Sequence, residues 1–245
     1  MGKLQPGVSS YSQANALLFN GTTGYCSRAD AAAHDFTTAM TISVWLKGAN
    51  PATFVSIAGK SDVGANKRTY VIFNNSDVTT GWGYIVSADG GATNYNYQKS
   101  ATTVFDSTWH HLVYTFSADT NKMYADRVLE TVLTTVADGT CNSLYNSDVG
   151  LIAGAQWSSG SAAFFLPGRL TNLSLWNVAL DQTGVSALAA AGKPADLSLH
   201  ANYANCVSWY KMGDGDGVGA DGIVDTKGGL HLSVTGGVTI VADAV

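Results

Sequence analysis

Three stretches decide the reading of the fold: Thr41 to Gly48 (TISVWLKG), Ser107 to Phe116 (STWHHLVYTF) and Gly168 to Leu180 (GRLTNLSLWNVAL). Each alternates apolar and polar side chains, the pattern of a strand with one face on a core. Ile42, Val44 and Leu46 share one face, while Thr41, Ser43 and Lys47 take the other. Leu112, Tyr114 and Phe116 oppose Trp109, His111 and Val113, and Leu173 and Leu175 oppose Asn172 and Ser174. These patterns predict a β architecture and carry no chemistry of their own.

Composition points the same way. Charged residues make up only 13% of the 245 residues, and Gly, Ser, Thr, Asn and Ala fill the turns and a neutral polar surface. The net charge is -5, and the densest positive group is Lys60, Lys67 and Arg68. A phosphate backbone needs several Lys or Arg on one face, so nucleic acid is excluded as an expected partner. No run of about 18 apolar residues is present, which excludes a membrane-spanning helix from the expectation. The first residues, MGKLQPGVSSYSQAN, have no apolar core of a secretory signal. Cys26, Cys141 and Cys206 are odd in number and far apart, as expected of thiols made in a reducing cytoplasm.

Along the chain, Gln13 to Arg28 reads as two short strands around Asn20-Gly21, a dipeptide suited to a tight hairpin. Strand-like segments follow at Thr53–Ala58, Thr69–Asn74, Gly83–Ser87 and Thr93–Gln98, separated by Asn, Asp and Gly turns. A hairpin after the WHHLVYTF strand returns through Lys122–Ala125 and continues through Arg127–Val136. Asp181 to Ala191 predicts the single helix, capped by Asp181 and stopped by Gly192 and Pro194. Short strands at this spacing predict a sandwich or barrel. Residues 1–12 read as an N-terminal arm and 13–245 as one domain, with 204–245 adding strands to the same sandwich.

In this order the pieces resemble the laminin-G-like, concanavalin-A-like lectin and glucanase superfamily. ALLFNGTTGYCSR is similar to its opening strand pair and FTTAMTISVWLKG to its "F-T-[IV]-[ST]-x-W-[LV]-K" strand. STWHHLVYTFSADTNKMYADRVLETV matches its "W-H-H-[LV]" strand and hairpin, and FFLPGRLTNLSLWNVAL its closing strands. The resemblance covers about Ala14 to Ala191. It implies an all-β, two-sheet antiparallel jelly-roll sandwich with one short helix. Two departures stand out: Tyr124-Ala125-Asp126-Arg127 replaces "Y-[VI]-[DN]-G", and Leu170 to Asn177 carries neutral residues where the family often has carboxylates. The tail from Ser208 to Val245 is similar to a "Y-x-M-G-D-x-D" segment that follows this jelly roll in structural proteins of tailed bacteriophages. That resemblance implies a virion component such as a head decoration, head fibre or tail fibre protein.

The chemistry is sparse. Glycoside hydrolysis needs two carboxylates flanking the bond, and hydrolases of the resembled family supply them from an E-x-D-x-x-E strand. Here Glu130 is the single glutamate among 18 acidic residues and lies in a hairpin, so no enzymatic activity is expected. Adjacent His110 and His111 on a strand point to opposite faces and cannot share one metal ion.

The candidate metal set is Asp214, Asp216, Asp221 and Asp225. Asp at positions 1, 3 and 12 with Gly at position 6 matches the EF-hand spacing for calcium, against a plain Gly/Asp turn cluster joining strands. The candidate carbohydrate-binding aromatics are Trp82, Tyr84, Tyr95, Tyr97 and Trp157, in Gly- and Asn-rich stretches, against a core face or subunit contact. The expected role is a non-enzymatic phage structural protein on the virion surface. It would be made in the host cytoplasm and would bind sister subunits and other virion proteins as a homo-oligomer. The alternative is a lectin-like module that binds glycans.

Overall fold

A computed structural model describes residues 11–75, 80–118, 120–217 and 222–245. In chain order the first nine strands are β1 (Asn15–Asn20), β2 (Tyr25–Ser27), β3 (Ala39–Gly48), β4 (Ser56–Asp62), β5 (Lys67–Asn75), β6 (Gly81–Ser87), β7 (Tyr95–Ser100), β8 (Trp109–Ser117) and β9 (Thr120–Ala125). The next nine are β10 (Val128–Leu129), β11 (Leu133–Asp138), β12 (Ile152–Ala153), β13 (Gln156–Ser158), β14 (Ser161–Ala163), β15 (Pro167–Trp176), β16 (Cys206–Tyr210), β17 (Ser233–Thr235) and β18 (Thr239–Ala242). One α-helix, α1 (Gln182–Ala187), lies between β15 and β16.

The strands form a jelly-roll sandwich of two antiparallel sheets. The first sheet runs β10-β9-β8-β3-β15-β1-β18, with β16 beside the second half of β15. The second runs β11-β7-β6-β5-β4-β12-β2-β17, with the β13–β14 hairpin attached to β4 through the single parallel pair Trp157 and Asp62. The three stretches that decided the sequence reading are β3, β8 and β15, side by side at the centre of the first sheet.

Alternation sets what each face does. Met40, Ile42, Val44 and Leu46 from β3, Leu112, Tyr114 and Phe116 from β8, and Leu170, Leu173 and Leu175 from β15 all enter the core between the sheets. The second sheet answers with Tyr70, Ile72, Trp82, Tyr84 and Val86, and Tyr84 stacks on Tyr114 across the gap with ring centroids 4.3 Å apart. Burying a large aromatic or aliphatic side chain contributes about 1.5–3 kcal/mol, so this continuous layer dominates the stability of the sandwich.

The polar face of the first sheet is not left to solvent. Val113, Tyr124, Trp176 and Trp209 on that face join Leu180, Val185, Leu188 and Leu197 in a second, smaller core roofed by α1 and the loops after it. Asp181 caps α1 as expected, accepting from the Gly184 amide at 2.8 Å. The helix is shorter than the sequence predicts. Ala191 turns to φ 54 and Gly192 to φ 75, just after Leu188 packs into the small core and Ala189 is buried.

A second expectation is corrected at Asn20-Gly21. β1 and β2 do not pair as a hairpin: β1 pairs β15 and β18 in the first sheet, while β2 pairs β12 and β17 in the second. The Asn20 Oδ1 accepts from the amides of Thr22, Thr23 and Gly24 and holds a crossing between sheets. Gly21 takes φ 73 with Pro167 packed against it, a place that admits no Cβ. The tail contributes β16 and β18 to the first sheet and β17 to the second. Cys26, Cys141 and Cys206 are free and buried. Among the described residues no helix is long and apolar enough to cross a membrane.

Candidate functional site

The five candidate aromatics part company in space. Trp82 and Tyr84 are fully buried core residues of β6, not exposed platforms. Gly81 and Gly83 occupy the alternate positions, so Trp82, Tyr84 and Val86 turn to the core while Ile85 lies on the outer face. Tyr95 and Tyr97 sit on β7 and point away from the core, half-buried. Tyr97 lies edge-on to Phe73 at 5.2 Å, Phe73 contacts Phe54 at 5.1 Å, and Phe54 contacts Phe164 at 5.1 Å, which makes an aromatic row on the outer face of the second sheet. Lys99 lies over the Tyr97 ring at 5.0 Å.

Trp157 alone stands at a cleft. The cleft, of about 380 Å³, is lined by Trp157, Asp62, Lys67, Asp148, Gly150 and Ser159. Its rear wall is built by one carboxylate. Asp62, buried at the end of β4, accepts from the amides of Ala65 (3.0 Å), Ser159 (2.7 Å) and Gly160 (2.7 Å), pinning the β4–β5 turn to the β13–β14 turn. Gly64 completes the closure, since a Cβ there would lie 2.6 Å from the Ser159 amide nitrogen. The indole of Trp157 donates to the Gly150 carbonyl at 3.0 Å and meets Tyr25 edge-on at 5.8 Å, so its ring is fixed before any ligand arrives.

The front of the cleft is charged and open. Lys67 donates to both carboxylate oxygens of Asp148, at 2.6 and 2.9 Å. That hydrogen bond raises the lysine pKa and lowers the aspartate pKa. Both partners face water, so the pair can exchange one another for ligand hydroxyls at little cost. A fixed indole beside a carboxylate and an ammonium suits a polyhydroxylated ring, with apolar C–H groups on the indole and hydroxyls on the charges. Sequence reasoning found Trp157 and missed Asp62, Lys67 and Asp148. They lie up to 95 residues away along the chain and carry no local motif.

The carboxylates of the acidic loop accept from backbone amides. Asp214 accepts from the amides of Ala14 and Asn15 and from the Asn15 side chain. Asp216 accepts from the amides of Gly213 and Val224, with burial raising its pKa. Asp225 is buried and accepts from the amides of Trp209, Lys227, Gly228 and Leu230. Asp221 lies outside the described residues. Among those described, no three acidic, His or Cys side chains gather as a metal set. Asp214, Asp216 and Asp225 act as brackets that tie the tail to β1 and β16, because an acceptor-only carboxylate is a good partner for several clustered amides.

The paired histidines separate as their strand alternation requires. His111 lies on the outer face of the first sheet, stacked on Trp45 with centroids 5.0 Å apart, with Nε2 2.8 Å from Ser43 Oγ. Burial lowers its pKa to about 3. His110 sits at the sheet end between two carboxylates, Nδ1 2.7 Å from Asp126 and Nε2 3.1 Å from Asp106. Its bond to Asp126 raises its pKa.

The chain belongs to the Concanavalin A-like lectin/glucanases superfamily, whose model matches residues 20–186. Among curated proteins, none matches this chain. Solved structures share the fold. A protein of Bacteroides ovatus ATCC 8483 inferred to bind carbohydrate superposes with a TM-score of 0.68 at 13% identity, over 95% of this chain and 60% of the other. A heptameric SAP-like pentraxin from Limulus polyphemus gives 0.57 at 12% identity, over 94% and 96%. Domains LG4-5 of the mouse laminin alpha1 chain give 0.50 at 12% identity, over 75% and 48%.

Proposed function

We propose that this protein is a non-enzymatic carbohydrate-binding jelly roll whose glycan site is the Trp157 cleft. The observation that carries this reading is the fixed, half-buried indole of Trp157 beside the exposed Lys67–Asp148 pair. The superfamily and the Bacteroides ovatus neighbour support the ligand class. The sole glutamate, Glu130, supports the non-enzymatic part: it accepts from the hydroxyls of Ser100 and Thr102 and so serves the β10–β11 connection.

A glycan array read with the native protein and with Trp157→Ala tests the site. Specific binding that is lost in the variant is expected. Binding that survives in the variant would remove the cleft from consideration, and clear release of sugar ends from a bound polysaccharide would overturn the non-enzymatic reading.

The second reading concerns where the module works. The tail's similarity to a segment of tailed-phage structural proteins favours a component of the virion surface, present in several copies. The exposed apolar side chains of Val128, Leu129, Val132 and Val136, at the adjoining edges of the two sheets, suit contact with sister subunits or other virion proteins. Mass spectrometry of purified particles is the test. Detection at a regular copy number is expected, and absence from particles would leave a free lectin-like module.

A further inference from the structure

A second recess lies on the opposite sheet. On the outer face of the first sheet, Trp45, Trp109, His111, Asp126, Arg127 and Gly192 enclose about 210 Å³ between the β9–β10 turn and the loops after α1. None of these residues belongs to the Trp157 cleft.

Four observations single it out. First, the two-residue turn Asp126-Arg127 has φ 50 and φ 71, so two side chain-bearing residues sit where the left-handed turn favours Asn-Gly. Asp126 is compensated, since its carboxylate takes the His111 amide at 2.8 Å and the His110 ring. Arg127 is not: among the described residues only its carbonyl is used, by Gln182 Nε2 at 2.8 Å, and its side chain is exposed. Backbone strain of this kind persists where the side chain is needed.

Second, His111 is buried, and its Nδ1 has no hydrogen-bond partner among the described residues, although a buried polar atom normally finds one. Third, two indoles line the recess. Trp45 is braced on His111, and Trp109 is held by its Nε1 near Asp243 at 3.4 Å and by Lys47 above its ring at 5.8 Å. Fourth, the charges nearby are mostly paired. Lys47 and Arg169 share Asp243, at 3.0 and 3.1 Å, and Asp126 holds His110, so among the described residues lining the recess Arg127 is the cation with no ion pair.

We propose that this recess binds an acidic sugar, a pyranose carrying a carboxylate, with the carboxylate on the Arg127 guanidinium and the ring face on Trp109. A guanidinium matches a carboxylate with two parallel hydrogen bonds, and an indole face matches the C–H side of a pyranose. A bare inorganic anion would use the arginine and ignore the indole. The site is separate from the Trp157 cleft and does not rest on it.

The test uses the full chain, with oligogalacturonate and oligosialate as probes, their methyl esters as neutral counterparts and inorganic phosphate as a bare anion. Binding is followed by indole fluorescence and by the indole N–H resonances. The acidic probe that fits is expected to bind at least tenfold more tightly than its ester and to weaken with added salt. It is expected to shift the Trp109 resonance. Arg127→Gly is the decisive variant, because glycine suits the turn: it should melt at a higher temperature and lose acidic binding at least tenfold. Trp109→Ala should lose it too, whereas Trp157→Ala should retain it. Equal binding of acid and ester, phosphate competing as strongly as the sugar, or full binding by Arg127→Gly would each overturn the proposal. Loss of neutral glycans alone in Trp157→Ala would speak only to the other cleft.

Discussion

Asp62 and Asp126 each hold a turn beside a tryptophan, and they do so in opposite environments. Asp62 is buried and satisfies three backbone amides that join two turns distant in sequence. Asp126 is half exposed, holds one amide, and shares its second oxygen with a histidine that titrates. The first arrangement makes the Trp157 cleft a rigid piece of the fold. The second makes the Arg127 turn a strained structure whose hold depends on the charge of His110. Similar residues therefore serve permanence in one place and adjustability in the other, and burial makes the difference.

The largest effect is expected at Asp62. Asp62→Ala leaves three amides without their charged acceptor, which should cost about 3 kcal/mol and lower Tm by about 10 °C. Glycan binding at Trp157 should vanish with it, measured by thermal melts and titration. A variant that melts like the native protein would show that the two turns are held by something else.

Asp126→Ala should cost less, about 1 kcal/mol, because the pair is partly solvated. The cost should also depend on pH. The folded state raises the pKa of His110 above its ordinary value near 6.5. The stability from this pair is thus complete below about pH 6.5 and fades as pH rises through the raised value. Melts at pH 5.5 and 9 should show the larger deficit at pH 5.5, and an equal deficit would mean that His110 does not sense Asp126.

His111 works with the opposite sign. Burial holds its pKa down to about 3, so the unfolded chain takes up a proton there before the folded one does. Its contribution is complete above about pH 6.5 and is lost as pH falls towards 3, which should give the native protein a declining Tm in acid. In His111→Gln this decline should be shallower, because one proton no longer binds preferentially to the unfolded chain.

Arg127→Gly should shift stability the other way, raising it by up to about 1 kcal/mol as the left-handed strain is relieved. The smallest effect concerns the acidic loop. With Asp214, Asp216 and Asp225 already bonded to amides, a chelator should leave Tm unchanged, and a drop of several degrees would restore a stabilising calcium site.

The comparison also explains what was legible beforehand. The alternation in TISVWLKG and STWHHLVYTF is a property of consecutive residues, so which side chains share a face, and even the divergence of His110 from His111, is legible in it, whereas the cover over the polar face is not. Whether Trp82 and Tyr84 face the core or solvent is not legible locally, because the polar and glycine neighbours carry no sign of the partner sheet that buries both rings. Asn20-Gly21 looked like a hairpin because the dipeptide favours a turn, whichever strands the turn connects. The cleft around Trp157 was invisible apart from the indole itself, since Asp62 and Asp148 are brought to it by pairings across the whole sandwich.

By itself, the sequence determined the sandwich: period-two alternation, few charges and a capped short helix leave little other way to bury the apolar face of each strand. Only the tertiary structure decided which aromatics meet solvent, which carboxylates are consumed by backbone amides, and that a buried imidazole nitrogen with no partner among the described residues and a strained arginine lie beside two indoles. Those are properties of long-range pairing, where a side chain's chemistry is set by neighbours that the linear chain does not place next to it.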